Sequence, residues 1–321
     1  MSITIGDNLK VGVIGAGRWG QKHIDEYSKM KDVELQWISD VSEDALKDFK
    51  GKYKVSTDYN DVLSSDVEAV SICTSNKTHF DVAKAALEAG KHVLVEKPLT
   101  EKTKDAYELI DIAKENKRLL AVGHLYRYNN AINEVKNLID KNFFGDLYHL
   151  RLQWTIQWMP EIYPDKQLDI IVDMMPHLYD IMNYLTGLWP KKITCFGKAF
   201  MKENLEDTAY IICEFPNNIM THSEISWTLP EKVREVDVIG SKATAKIKAV
   251  TQEVELFEGS NEGKKLDISS NNTLGDELEA FINAVNKGES LSNNGQIGAK
   301  TVELMEATRK SLESNRNISV E

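Results

Sequence analysis

Three cysteines in 321 residues are too few for a disulfide framework, and Cys73, Cys195 and Cys213 stand in no CxxC or other metal-ligand spacing. A reduced, cytoplasmic setting is the resulting expectation, with thiols that fit strand positions and are inert. Long apolar runs are also missing: no stretch approaches the roughly 18–20 residues needed to cross a bilayer. The opening MSITIGDNLK has no basic segment followed by an apolar one, so no secretory signal is expected. Positive charge is in deficit, with 39 Lys and Arg against 50 Asp and Glu and a net charge of −11. That balance disfavours a protein whose task is gripping phosphate backbones, and neither nucleic acid nor membrane is expected as a partner. Disorder is disfavoured too: 42% hydrophobic and 28% charged residues are ordinary for a folded chain, here long enough for about two domains.

What is present begins with an alternation. Apolar runs at Leu9–Ile14, Val33–Ser39, Ala69–Thr74, Lys91–Glu96 and Leu119–His124 read as strands. Helical patterns lie between them, at Gly20–Met30, Glu43–Lys50, Phe80–Ala89 and Lys104–Lys117. Near-continuous apolar strands alternating with helices predict a parallel sheet covered on both faces. The pattern changes near residue 145. Leu147–Trp158 is β-rich and aromatic, and Asp169–Leu185 is mostly helical. Strand-like segments then follow one another at Ile193–Phe200, Thr208–Phe215, Ile219–Trp227, Glu235–Ile239, Lys242–Ala249 and Glu253–Phe257. Asn217-Asn218 between two of them reads as a hairpin turn. Strands in succession predict an antiparallel sheet, and helices at Leu274–Asn286 and Gln296–Glu313 end the chain.

Gly15-Ala16-Gly17-Arg18-Trp19-Gly20 fits G-x-G-x-x-G after a predicted strand and at the start of a predicted helix. The first glycine makes the tight turn, the second lets a pyrophosphate approach the backbone, and the third lets helix pack on strand. Asp40 ends the second strand, where an acid hydrogen-bonds ribose hydroxyls and repels a 2′-phosphate, favouring NAD over NADP. The alternative is a glycine-rich turn without a ligand.

Lys97, in Glu96-Lys97-Pro98, follows the fourth of these strands at the edge where open α/β sheets bind ligands. It is either a proton-exchanging group beside a substrate hydroxyl or an exposed loop lysine. Asp173 and His177 stand four residues apart, about one helical turn, with Pro176 between them. His177 is suited to take a proton from an alcohol at neutral pH, and Asp173 to orient it or hold a hydroxyl. A zinc site is a competing reading that lacks further ligands, and a satisfied core histidine is another. Asn76 and His79 follow the third strand; Asn76 is either a ligand contact or a helix N-cap. Arg127, after the fifth strand, is the obvious cation for a phosphate or sugar. Trp154, Trp158, Tyr163 and Trp189 either stack on a sugar or base or pack in a core or interface.

Over nearly its whole length the chain resembles the glucose–fructose oxidoreductase, inositol dehydrogenase and rhizopine-catabolism (Gfo/Idh/MocA) family. The matching residues are VGVIGAGRWG at 11–20, ISDVSEDA at 38–45, TSNKTHFDVAKAALEAGKHVLVEKPLT at 74–100, GHLYRYNNAI at 123–132 and VDMMPHLYDIMNYLTG at 172–187. The resemblance implies an α/β fold: an N-terminal Rossmann domain over 1–126, then an α+β domain over 127–321 with a large, mostly antiparallel open sheet. The last helix is expected to pack back on the first domain. It implies NAD held by Gly15, Gly17, Arg18, Trp19, Gly20, Asp40, Thr74, Asn76, His79, Glu96, Lys97 and Arg127. Lys97, Asp173 and His177 are then catalytic, and with Arg127 and Tyr163 they touch a sugar whose secondary hydroxyl is oxidised, with no metal. The stretch before Asp173, LDIIVD, lacks the glycine-rich lead of many members. The form D-x-x-P-H-x-x-D after WTIQWMPEIYPD resembles members acting on nucleotide sugars, such as C3 of UDP-N-acetylglucosamine. A free sugar or cyclitol such as myo-inositol is the alternative, and a non-catalytic nucleotide sensor a further one. Arg151 and Arg234 are candidate cations for a diphosphate. One face of the open sheet needs cover, so a homodimer or homotetramer is expected.

Overall fold

The structure is a computed structural model in which residues 8–158, 170–201, 205–259 and 261–320 are described. The chain divides into two compact units. The first comprises Met1–Leu125 and Leu274–Val302; the second comprises Tyr126–Thr273 and Glu303–Glu321.

The first unit opens with β1 (Leu9–Ile14), α1 (Arg18–Tyr27), β2 (Val33–Ser39) and α2 (Glu43–Leu46). It continues through β3 (Lys54–Ser56), α3 (Tyr59–Leu63), β4 (Ala69–Ile72), α4 (His79–Glu88), β5 (His92–Val95), α5 (Thr103–Glu115) and β6 (Leu120–Val122). All six strands pair in parallel in the order β3-β2-β1-β4-β5-β6. β4 and β6 are buried at every residue, as expected of apolar strands covered on both faces. Leu9, Val11, Val13 and Ile38 share a core with Leu278, Phe281 and Ile282 of the returning segment. That segment also closes the β6 edge: Val122 N–H donates to Asn293 O (2.8 Å) and Asn294 bridges Ala121. β1 and β4 are neighbours although α1, α2, α3 and two strands separate them in the chain, so strand order reverses at that point. The carboxyl ends there open the crevice that binds ligands in such sheets. β3 and α3 were not anticipated, because three strand residues carry no readable periodicity. Lys97 therefore follows the fifth strand, and Arg127 the sixth.

The second unit begins with α6 (Asn130–Asp140), β7 (Leu147–Thr155) and α7 (Ile170–Thr186). Then come β8 (Lys192–Lys198), β9 (Thr208–Glu214), β10 (Met220–Ser226), β11 (Val233–Gly240), β12 (Thr244–Lys248), β13 (Glu253–Phe257) and β14 (Lys264–Lys265). After α8 (Thr273–Lys287) and α9 (Gly295–Ser314), β15 (Ile318–Ser319) completes a nine-stranded sheet, ordered β14-β13-β12-β11-β7-β10-β9-β8-β15. Every neighbouring pair is antiparallel except β7 and β10. That exception follows from α7, β8 and β9 intervening between the two, which makes the connection a crossover rather than a hairpin. The β9–β10 hairpin turns through Asn217 and Asn218, both at positive φ (58° and 60°), a conformation asparagine tolerates. α6 was not anticipated; its buried stripe is only Ala131, Ile132 and Val135.

Burial alternates along β9: Ala209, Ile211 and Cys213 face in, Tyr210 and Ile212 face out. Cys195 and Cys213 are buried, and burial pushes the Cys213 thiol up to about 12 and the Cys73 thiol well above its usual range, so both stay protonated. Among the described residues no helix is long and apolar enough to cross a membrane.

Candidate active site

The three glycines after β1 meet three different surroundings. Gly15 has φ +95°, and a Cβ there would lie 2.6 Å from Cys73 C and O, in the loop after β4. A Cβ on Gly20 would stand 1.8 Å from Gly15 O, so only glycine lets α1 pack on the turn. Gly17 is exposed, with nothing within 4 Å of where its Cβ would be. It is also the N-cap of α1 and makes no side-chain cap bond. The first turn of α1 thus presents backbone N–H groups toward open space, as an anion requires. Asp40 sits beside this turn: Oδ2 accepts from Ala16 N–H (2.7 Å) and Oδ1 from Ser42 N–H (2.8 Å). Each oxygen keeps a lone pair for a ribose hydroxyl. Trp19 is half-buried with the Lys22 ammonium 4.3 Å from its ring centre. These residues fit a bound dinucleotide.

The loops after β4 and β5 depart from expectation. Glu96 is buried, with Oε1 taking the His23 Nε2–H (3.2 Å) and Oε2 the Lys97 N–H (3.2 Å). Burial raises its carboxyl pKa, but the hydrogen bond and charge of His23 and the charge of Lys97 outweigh burial and leave it lowered. His79 is fully buried, Nδ1 2.7 Å from Pro98 O and Nε2 3.2 Å from Thr74 O. Burial lowers the His79 pKa, favouring a neutral ring with one N–H, and the shorter contact assigns that hydrogen to Nδ1. Glu96 and His79, expected to contact cofactor, have interior partners for these side-chain atoms. Lys97 is half-buried and precedes a cis peptide bond to Pro98. Thr74 Oγ1 accepts from Thr78 Oγ1 (2.9 Å), and Asn76 starts a 3-10 turn whose N-cap is Ser75, not Asn76 itself.

In the second unit Asp173 and His177 are both half-buried on α7, which continues through Pro176. The His177 and Tyr126 rings meet in a T-shaped contact (centroids 5.2 Å, 86°), as do those of Tyr126 and Trp154 (5.0 Å, 77°). Arg234, opposite Trp154 in register, lies over that indole (5.2 Å) and donates Nη1–H to Thr155 O (2.8 Å) and Val233 O (2.7 Å). Burial raises the Tyr126 phenol pKa, opposed by the charge and hydrogen bond of Arg234. Trp158 and Trp227 pack nearby in the chain, at the ends of β7 and β10 (4.8 Å). Arg151 pairs with Asp237 (3.0 Å) on the other face of the sheet from Trp154, so Arg234 alone of the two candidate cations shares a face with Trp154.

Arg127 has partners other than the phosphate expected of it. It is buried, with Nε 2.6 Å from Asp180 Oδ1, Nη2 2.8 Å from Asn183 Oδ1, and its guanidinium over Tyr184 (5.1 Å). The Arg127 charge is thus compensated in the interior by Asp180. Tyr163 lies outside the described residues. Among the described residues no three His, Cys, Asp or Glu are grouped to hold a metal. Sequence reasoning missed His23, Tyr126 and the partners of Glu96. His23 shares a buried helical stripe with Gly20, Ile24 and Tyr27, a readable signal, whereas its partner lies 73 residues away.

Residues 9–124 match the model of an oxidoreductase family with an NAD-binding Rossmann fold, and residues 132–246 match the GFO/IDH/MocA C-terminal domain. The chain is 27% identical to myo-inositol 2-dehydrogenase of Thermotoga maritima, across 98% of this chain and 99% of that one. It is 26% identical to UDP-N-acetylglucosamine 3-dehydrogenase of Acidithiobacillus ferrooxidans, across 92% and 94%. A solved structure of the latter superposes with a TM-score of 0.86 at 25% identity, covering 96% of this chain and 98% of that chain.

Proposed function

We propose, from the premise that this chain belongs to the Gfo/Idh/MocA family of NAD-dependent oxidoreductases, that it oxidises a secondary hydroxyl of a nucleotide sugar. C3 of UDP-N-acetylglucosamine is the favoured position. At the coarser level it is a dehydrogenase of sugars or cyclitols. The observation that carries the chemistry is His177, half-buried on α7 with its ring fixed by Tyr126 and Asp173 one turn before it. The Acidithiobacillus relative supports the nucleotide sugar, as does Arg234 on the face of Trp154. The Thermotoga relative supports myo-inositol as a second reading.

NAD, when bound at the glycine-rich turn, supplies the acceptor for the hydride. His177 takes the hydroxyl proton. Lys97 donates a hydrogen bond to the same oxygen and stabilises its developing negative charge. Asp173 holds the imidazole or a neighbouring hydroxyl. The deciding experiment follows NADH formation from NAD with UDP-N-acetylglucosamine, free N-acetylglucosamine and myo-inositol, with product masses. A signal from the UDP sugar alone, its product lighter by one H2, is expected. A signal from myo-inositol alone overturns the nucleotide-sugar reading and leaves the dehydrogenase reading intact.

The same reading includes self-association through the outer face of the nine-stranded sheet. Phe196, Tyr210, Ile212 and Met220 on that face are 41–55% exposed, and Phe196 and Tyr210 are cross-strand partners. Sedimentation is expected to give a dimer or tetramer; a monomer at micromolar concentration refutes it.

A further inference from the structure

We infer that His23 and His79 are positioning residues for Lys97, holding it from both sides. Lys97 sits between two residues that are each fastened to a fully buried imidazole. On one side His23, from α1, holds Glu96 Oε1 at 3.2 Å, while Glu96 Oε2 takes the Lys97 amide hydrogen. On the other side His79, at the start of α4, holds Pro98 O at 2.7 Å, with its second nitrogen 3.2 Å from Thr74 O. α1, the start of α4 and the loop after β5 are thus tied together at the ligand-binding edge of one sheet.

Packing alone does not account for this arrangement. An apolar side chain would fill either site without the cost of desolvating an imidazole. His23 Nδ1 is buried without a hydrogen-bond partner among the described residues, a cost that packing does not require. Space is also reserved for the carboxylate: a Cβ on Gly123 would lie 3.0 Å from Glu96 Oε2. What the imidazoles and the carboxylate restrain in common is the backbone that carries Lys97. An ammonium that must meet one oxygen in the transition state gains from such restraint, since a displacement of about 1 Å can cost 100-fold in rate.

The inference rests on the role proposed above for Lys97, and a double-mutant cycle separates the two. His23→Leu and His79→Leu remove the donors at similar volume. His23→Gln and His79→Asn keep an amide N–H near the lost Nε2–H and Nδ1–H. Each Leu variant is expected to lower kcat roughly 10- to 100-fold, with NADH affinity, read by fluorescence titration, changed less than about 3-fold. The Gln and Asn variants should recover most of the rate. In a Lys97→Ala background the same Leu changes should lower the residual rate by less than about 3-fold, because there is no ammonium left to place. A readout independent of turnover is amide hydrogen exchange: His23→Leu should speed exchange about 10-fold in a peptide spanning 96–99 and leave peptides of β1 protected. Equal losses in both backgrounds, or Leu variants with unchanged kcat, overturn the inference alone. Normal turnover by Lys97→Ala overturns the role of Lys97 and this inference together.

Discussion

The six-stranded sheet is covered on both faces, and the nine-stranded sheet has one face lined by exposed side chains; the two offer functional groups in different ways. In the first, β4 and β6 have no accessible residue, so chemistry can only leave from strand ends. Gly15, Asp40, Thr74 and Lys97 all lie just past the carboxyl end of a strand. In the second, Trp154 and Arg234 belong to strands themselves, and through Tyr126 they set the ring of a histidine on α7. A parallel sheet with buried faces must place its groups by loops, and loops need ties such as Glu96 and His79. A one-sided sheet can use side chains that its own register already fixes.

The largest effect tests whether both modes serve the reaction. Lys97→Ala and His177→Ala should each lower kcat roughly 100- to 10,000-fold in NADH-formation assays. Near-normal rates in His177→Ala would reduce the ring stack of the second unit to core packing. Next comes Arg127→Ala, which leaves Asp180 charged and buried. It should destabilise the protein by about 3–5 kcal/mol in urea unfolding, with little change in substrate KM. A large rise in KM at unchanged stability would restore Arg127 as a ligand contact.

Within the first unit, Gly20→Ala and Gly17→Ala make a contrasting pair. Gly20→Ala should cost about 1–3 kcal/mol or more by forcing a Cβ against Gly15 O. Gly17→Ala should leave the melting temperature nearly unchanged while weakening NAD binding, because its Cβ enters only the space a pyrophosphate would use. Similar melting losses in both would sink that distinction. The smallest effect concerns His92 on β5, whose pKa is pushed down to about 4 by burial and the Arg118 charge. Its folded value is below its unfolded value of about 6.5, so the unfolded chain binds more protons between them. Stability is therefore complete above pH 6.5 and declines toward pH 4, and His92→Gln should flatten part of that decline in urea midpoints. An unchanged slope would contradict the assignment.

Much of the first sheet was readable because its rules are local. β1 and β2 run over Leu9–Ile14 and Val33–Ser39, as their apolar runs predict, and the glycine turn follows β1 in sequence. β13 likewise matches Glu253–Phe257. What escaped reading was set by partners distant in the chain. β7 and β10 are parallel because of where the crossover returns, which no single segment encodes. Arg127 looked like a free cation because Asp180 lies 53 residues on, and Glu96 and His79 looked like ligand contacts because His23 stands 73 residues from Glu96 and Pro98 19 residues from His79. Lys97, Asp173 and His177 could be singled out by residue type and position; the side chains packed around them, such as Tyr126 against His177, could not.

The return of residues 274–302 to the first unit bears on the order of synthesis. A ribosome releases β1 to β6 early, but Leu278, Phe281 and Ile282, which complete their core, and Asn293 and Asn294, which close the β6 edge, come last. Until then the nucleotide-binding unit carries an open apolar face and an unpaired strand, while all of β7 to β14 is made in the interval. The unit synthesised first is thus among the last to be finished, and a chain stopped short of residue 294 leaves its cofactor-binding half incomplete rather than free-standing.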